Sequence, residues 1–102
     1  MATSKDFCNF ILEQLSSLGD VTCRPMMGEY LLYHRSVLVG GIYDERVLLK
    51  ETPSNQSQNL PQVIPYDGAK RTMYFVEDPD DAERLITLIQ NAYQDLRKGL
   101  IC

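Results

Sequence analysis

Four short runs rich in β-branched and aromatic residues, separated by brief turn signals, most limit what this chain can fold into. Val, Leu, Ile and Tyr dominate from residue 21 to residue 50, and Gly28 and Gly40-Gly41 interrupt any helical repeat. The spacing predicts two-residue turns at Gly28-Glu29, Arg35-Ser36 and Asp44-Glu45. Gly28 at the first central position is typical of a type II′ hairpin. We therefore predict four antiparallel strands, near 21–27, 30–34, 37–43 and 46–50.

Amphipathic repeats on both sides of these runs predict one helix towards each end of the chain. Apolar residues at three- and four-residue spacing place the first helix at about residues 4–18, with Gly19 as its stop. The second is predicted to begin with Asp78 as N-cap and Pro79 at the first helical position, and to end at Gly99. Both helices have one apolar stripe and therefore need a surface to pack against.

The stretch from Thr52 to Pro65 is rich in Ser, Asn, Gln and Pro, and it is long for a passive connection. It is predicted to be irregular, with one short helical turn after Ser54. A further strand is predicted near residues 71–76. The chain has 102 residues, of which 44% are hydrophobic and 24% charged, which is typical of one soluble domain. The expected fold is a single α+β domain over residues 1–102, a two-layer sandwich with a mostly antiparallel sheet in the order α-β-β-β-β-loop-β-α.

Strand alternation predicts apolar side chains on both faces of the sheet. With two-residue turns throughout, Arg24 and Tyr33 would lie on the face that carries both helices. The other face would present more apolar side chains than a solvated sheet face normally does. We expect this second face to be covered by a partner chain, by the 52–65 segment, by one of the helices, or by a ligand in a groove. The candidate binding residues are Arg24, Gly28, Tyr30, Leu32, Tyr33, Val39 and Leu48.

Charge and cysteine usage narrow the classes of function. Ten Lys and Arg against 14 Asp and Glu give a net charge of −4, and no basic run exceeds two residues, which disfavours strong direct binding to nucleic acid or to a membrane surface. Three cysteines, no evident secretory leader and no long apolar span predict a cytoplasmic, reduced protein. No metal site and no cofactor are expected, because the cysteine spacing matches no zinc motif.

Two pairs of residues suggest chemistry. The predicted first hairpin places Cys23 opposite His34, and an imidazolium beside a thiol lowers its pKa, so this pair is a candidate reactive thiol. Arg24 is predicted to face Tyr33 within the helix-facing layer, where it would need an acid such as Glu29 or would form an anion site. The common nucleotide-binding, zinc-protease and hydrolase motifs do not occur. Catalytic activity is therefore uncertain and is less expected than binding.

Several runs of this sequence resemble the TfoX N-terminal domain family. They broadly follow its pattern of Arg-x-Met-Phe-Gly, a Gly-Leu-Tyr, a strand, an Asp-containing turn and a strand that closes in Leu-Lys. The matching positions are Arg24, Met26, Gly28, Leu32, Tyr33, Asp44, Leu49 and Lys50, and the chain departs from the pattern with Met27 where Phe is common and Leu31 where Gly is common. The resemblance implies a two-layer domain like that of type III secretion chaperones, in a family connected with regulators of bacterial competence. It brings neither an established catalytic activity nor a cofactor. Regulators of that kind carry a second domain, which we do not expect in a standalone copy.

These observations favour a non-catalytic regulatory or protein-interaction module of bacterial type. Its expected partner is a second copy of the chain, forming a homodimer, or another protein. The alternative is a small-ligand-binding protein or an enzyme that uses a cleft between the sheet and the 52–65 segment. A flat apolar patch would favour the interaction module, and a pocket with convergent polar groups would favour the ligand-binding protein.

Overall fold

Both helices lie against the same face of a single six-stranded sheet. The computed structural model describes residues 3–100. In chain order, its elements are α1 (Lys5–Gln14), β1 (Val21–Met26), β2 (Glu29–His34), β3 (Val37–Tyr43), β4 (Arg46–Leu49), a 3₁₀ helix (Pro53–Gln58), β5 (Gln62–Val63), β6 (Met73–Val76) and α2 (Ala82–Leu96). The strands follow the order β1-β2-β3-β4-β6-β5, and every neighbouring pair is antiparallel. The predicted α+β class is therefore confirmed, with an open sheet.

Helix α1 forms because a polar cap precedes an apolar stripe. The Ser4 hydroxyl accepts a hydrogen bond from the Phe7 backbone N–H at 3.1 Å, which satisfies one of the free donors of the first turn. Cys8, Ile11 and Leu15 are buried in the core. The helix ends at Gln14, earlier than predicted, because residues 15–18 continue as turns up to Gly19, whose φ is 78°.

Helix α2 begins three residues later than predicted. Asp78 is not its N-cap, because the Asp81 backbone N–H bonds the Asp78 carbonyl at 3.0 Å and closes a turn over Pro79. Asp81 caps the helix instead, since its carboxylate accepts from the Arg84 backbone N–H. The Asp78 carboxylate binds the Arg84 guanidinium at 2.7 Å. The apolar stripe buries Leu85, Leu88, Ile89 and Ala92 in the core it shares with α1.

The three β-hairpins have two central residues with positive φ, the pattern of type I′ turns. Arg35-Ser36 and Asp44-Glu45 occupy two of these turns, as predicted. The first turn is Met27-Gly28, with φ of 50° and 85°, because Met26 pairs with Glu29. The predicted Gly28-Glu29 type II′ turn is therefore wrong, and every pair between β1 and β2 shifts by two positions.

A β-bulge in β3 decides which side chains meet the helices. Next to the turn, His34 pairs with Val37 as predicted, but beyond a shift at Leu32/Tyr33 the partner of Leu32 is Gly40. One extra residue in a strand exchanges the two faces for everything that follows it. Ile42, Val47 and Leu49 therefore join Leu32 and Val39 beneath the helices.

The bulge sorts the sheet into a helix face and an open face. The helix face packs against α1 and α2 and carries most of the aliphatic core, namely Cys23, Tyr30, Leu32, Val37, Val39, Ile42, Val47, Leu49, Tyr74 and Val76. The opposite surface, here called the open face, carries Arg24, Leu31, Tyr33, Leu38, Tyr43, Leu48, Lys50, Met73 and Phe75. The prediction that Arg24 and Tyr33 meet the helices is therefore wrong.

The connection from β4 to β6 does not cover the open face in the way considered from sequence. Pro53–Gln58 forms the 3₁₀ helix, which agrees with the helical turn predicted after Ser54, but it packs on α2. There the buried Asn55 side chain donates to the Leu88 carbonyl at 3.0 Å. Strand β5 was not predicted. Residues 65–72, further along the chain, lie against part of the open face.

Candidate functional site: a groove on the open face

A groove of about 920 Å³ lies between the open face and residues 65–72. Leu31, Leu38 and Met73 are half-buried along it, and Tyr43 is almost fully buried. No helix packs over these side chains within the described part of the chain, because α1 and α2 both lie on the other side of the sheet. The floor of the groove is therefore apolar and partly accessible.

The wall formed by residues 65–72 is attached to the sheet by aromatic and polar contacts. The ring centroids of Tyr43 and Tyr66 lie 6.2 Å apart, and the Arg46 guanidinium donates to the carbonyl of buried Pro65 at 3.4 Å. Burial, with smaller effects of Tyr66 and Glu29, raises the pKa of Tyr43. The Tyr43 hydroxyl therefore stays protonated at neutral pH and is a neutral hydrogen-bonding group.

Three cations along this groove form no ion pair within 4.0 Å with a carboxylate of residues 3–100. Lys50, Lys70 and Arg71 line it, whereas the ion pairs found in that range join Arg35 to Asp20 and Arg84 to Asp78. Glu51 also lines the groove, and its carboxylate accepts hydrogen bonds from Gln62 and Thr72 at 2.9 and 2.6 Å. The groove thus combines an apolar floor with three cations and one carboxylate, a net positive lining in a chain of net charge −4.

Arg24 and Tyr33 stack, but on the open face and not beneath the helices. The Arg24 guanidinium lies 5.5 Å from the centroid of the Tyr33 ring. Arg24 is exposed and pairs with Leu31 across β1 and β2. The acid considered as its partner is engaged elsewhere, because Glu29 accepts from the Thr3 hydroxyl and the Asp44 backbone N–H.

The other predicted binding residues are dispersed by the bulge and the first turn. Leu32 and Val39 are fully buried on the helix face, and Tyr30 packs against the same core. Leu48 is on the open face but is fully buried. Gly28 lies in the first hairpin turn. Of the seven candidates, only Arg24 and Tyr33 combine a place on the open face with an accessible side chain.

The predicted pairing of Cys23 with His34 is wrong. Cys23 pairs with Leu32 and His34 with Val21, so the two side chains are not cross-strand neighbours. Burial, together with a contact from Cys8, raises the pKa of Cys23 to about 12. An activated nucleophile needs the opposite shift, since only the thiolate attacks.

Sequence reasoning missed the groove residues Lys50, Leu38, Lys70, Arg71 and Met73. The adjacent pair Lys70-Arg71 beside Gly68 was the available signal, since it is a local basic cluster in an acidic chain. Within residues 3–100, no three His, Cys, Asp or Glu side chains come together in a way that would hold a metal ion. In the same range, no helix has both the length and the apolar character needed to span a bilayer.

One protein-family model aligns with most of the chain. The model of the TfoX N-terminal domain aligns with residues 13–96, from the last two residues of α1 to the end of α2. The chain belongs to the TfoX N-terminal domain family. It is also 34% identical over 94 residues to a protein of Spirochaeta aurantia described as an uncharacterized 12.7 kDa protein in the trpE 5′ region, an alignment that covers 88% of this chain and 80% of the relative.

Membership of the TfoX N-terminal domain family confirms the resemblance drawn from the Arg24–Lys50 motifs. The match includes the whole groove, since every residue that lines it lies between Leu31 and Met73. The family is associated with competence regulation, which relates this domain to regulatory proteins in general terms.

Proposed function

We propose that this TfoX N-terminal domain is a non-catalytic regulatory module that binds an extended, acidic segment of another protein in the open-face groove. The observation that carries the proposal is the net positive lining of an apolar floor, where Lys50, Lys70 and Arg71 form no ion pair within residues 3–100 and Glu51 is the acid among the lining side chains. Apolar side chains of the segment would contact Leu31 and Leu38, and its carboxylates would reach the cations. Apolar contact supplies most of the affinity, and the charges supply orientation and association rate.

The charge distribution favours a different protein over a second copy of this chain. In a two-fold dimer built on the open face, each copy would place Lys50, Lys70 and Arg71 against the same patch of its partner. Like charges brought together at an interface oppose association. The homodimer expected from the sequence stays a prediction.

The small-ligand alternative keeps a location, because the groove is a pocket with polar groups along its wall. Of the 52–65 segment only Pro65 lines this groove, since Pro53–Gln58 packs on α2. The groove lies on the open face of a domain whose family is associated with regulation, and this supports an interaction role in bacterial regulation. The proposed location is the cytoplasm.

The proposal is tested by NMR titration of the ¹⁵N-labelled protein with a synthetic peptide of alternating Glu and Leu residues. We expect saturable shifts of backbone amides in β2, β3 and residues 65–73, and an affinity that weakens as salt is added. A peptide of alternating Lys and Leu residues should not bind there. Absence of saturable shifts up to millimolar peptide, or shifts confined to other surfaces, would refute the proposal.

A charge-matched pair of variants separates local from general electrostatics. Lys70→Glu/Arg71→Glu reverses two exposed cations at the groove, whereas Lys5→Glu/Lys98→Glu reverses two exposed cations elsewhere. The first variant should lose about tenfold or more in affinity for the acidic peptide, and the second should lose little. Equal losses would show that only net charge matters. Sedimentation equilibrium on both variants measures whether self-association depends on Lys70 and Arg71.

A further inference from the structure

A second cleft of about 470 Å³ lies between the β2–β3 turn and helix α2. Its lining is mostly polar, since Gln90, Asn91 and Gln94 of α2 face Arg35 of the turn, with His34 and Tyr93 also at its surface. His34 lies on the helix face of the sheet, so this cleft is separate from the groove on the open face. Nothing in the proposed function uses it.

The imidazole of His34 is buried with an unsatisfied nitrogen. The residue is only 4% exposed, and its Nδ1 atom has no hydrogen-bond partner. The ring packs edge-on against Tyr93, with centroids 4.9 Å apart and an interplanar angle of 70°. A buried polar atom without a partner is destabilising, so such atoms are rare away from places where a ligand or solvent completes them.

Two guanidinium groups lie beside the ring of Tyr93, which packs against His34. The guanidinium carbons of Arg35 and Arg97 lie 6.0 and 5.8 Å from the centroid of Tyr93. The Asp20 carboxylate approaches Arg35 only to 3.9 Å, and both side chains are more than half exposed, so this pair is weakly held.

The backbone places Arg35 at the cleft at some conformational cost. Arg35 and Ser36 have φ of 49° and 66°, in a turn type that favours Asn-Gly.

We propose that this cleft binds the oxyanion group, carboxylate or phosphate, of a small molecule. Arg35 supplies the charge and a planar pair of donors, which match both groups. An N–H at Nδ1 of His34 supplies one hydrogen bond, and the carboxamides of Gln90 and Gln94 supply others. The Asn91 carboxamide nitrogen is already used, since it donates to the Asn55 side chain at 3.1 Å.

His34 is the only histidine of the chain, so its ring signals in NMR belong to one residue. The protein, ¹⁵N-labelled, is titrated separately with sodium phosphate and sodium acetate at neutral pH, and with sodium chloride at matched ionic strength. We expect a saturable shift of the His34 ring nitrogens and of the backbone amides of residues 35 and 90–94 with at least one oxyanion. Saturation by phosphate alone or by acetate alone identifies the group that the cleft prefers. Linear shifts equal to those with chloride overturn the proposal.

Two matched variants complete the test. Arg35→Gln keeps a long side chain in the same turn but removes the charge, and it should weaken oxyanion binding about tenfold or more. Lys5→Gln removes one exposed charge from helix α1 and should leave oxyanion binding at this cleft unchanged. Melting temperatures of both variants establish that each is folded. Equal weakening in the two variants, or undiminished binding by Arg35→Gln, would refute the assignment.

Discussion

Ser54 donates two hydrogen bonds to the carboxylate of Asp95, from its backbone N–H at 2.7 Å and from its hydroxyl at 2.8 Å. These bonds attach the start of the 3₁₀ helix to the last turn of α2. Burial by itself would raise the pKa of Asp95, but the hydrogen bonds from Ser54 outweigh it, and the pKa lies below its ordinary value.

We expect Asp95→Ala to lower the free energy of unfolding by about 1–2 kcal/mol, because Ser54 loses the acceptor of both bonds. Urea unfolding at neutral pH measures the change. Asp80→Ala removes an exposed carboxylate and should change stability by less than about 0.5 kcal/mol. Equal effects of the two substitutions would show that the Ser54 contact contributes nothing specific.

The same contact predicts a pH dependence. Because the folded pKa of Asp95 is depressed, its contribution is fully present above the unfolded pKa of about 3.9 and is lost as the pH falls through the folded pKa. The stability difference between the wild type and Asp95→Asn should therefore narrow as the pH falls below about 4. Urea unfolding curves over an acidic pH series measure it, and a difference independent of pH would contradict the assignment.

Gly40 lies at the bulge of β3, where a side chain has no room. A Cβ atom there would overlap the carbonyl oxygen of Leu48 and lie 2.8 Å from the Cα of Leu49, and neither backbone atom moves cheaply. We expect Gly40→Ala to cost about 3 kcal/mol or more, or to prevent folding. Gly19→Ala is the control, since it meets no atom within 4 Å and incurs only the cost of a positive φ, about 1 kcal/mol.

Met27 is the first central residue of a type I′ turn and is 97% exposed. Asparagine adopts positive φ more readily, and Asn-Gly is the preferred pair in this turn. Met27→Asn should therefore stabilise the fold by about 0.5–1 kcal/mol, measured by chemical unfolding. Met27→Leu, which has no such preference, should not stabilise it, and a loss of stability in the Asn variant would show that Met27 makes a contact of its own.

The raised pKa of Cys23, about 12, predicts a slow thiol. In a Cys102→Ser background, alkylation of Cys23 by iodoacetamide at neutral pH should be at least about tenfold slower in the folded protein than in urea. Peptide mass spectrometry assigns the modified cysteine. Comparable rates in the two conditions would restore the reactive-thiol hypothesis that the hairpin register argues against.

Local patterns in the sequence were sufficient for most elements. The apolar stripes of α1 and α2, the turns at Arg35-Ser36 and Asp44-Glu45, and the pairing of β3 with β4 all follow from short-range periodicity and turn chemistry. Strand β5 was missed because two residues carry no periodicity. The start of α2 was misplaced because Asp78 and Asp81 are equally good caps, and only the turn over Pro79 decides between them.

The groove was predictable only in part. The sequence shows more apolar strand residues than two helices can cover. The residues that it assigned to the uncovered sheet face, however, were largely the wrong ones. Leu32 and Val39 are in the core, whereas Leu31 and Leu38 line the groove. Leu31 and Leu32 are neighbours in sequence, as are Leu38 and Val39, and neighbours on a strand point to opposite faces. A bulge that reverses the faces therefore exchanges which member of each pair is in the core.

The sequence by itself determined the class of fold, the number of layers and membership of the TfoX N-terminal domain family, because these depend on local preferences and on motifs within short runs. The tertiary structure decided which sheet face the helices cover, and it brought Lys50 close to Lys70 and Arg71. The physical reason is that side chains alternate with a period of two along a strand. One unpaired residue beside Gly40 therefore reverses the burial of everything after it. The Gly40-Gly41 pair inside a strand is a signal of a bulge, but it does not say which residue is unpaired.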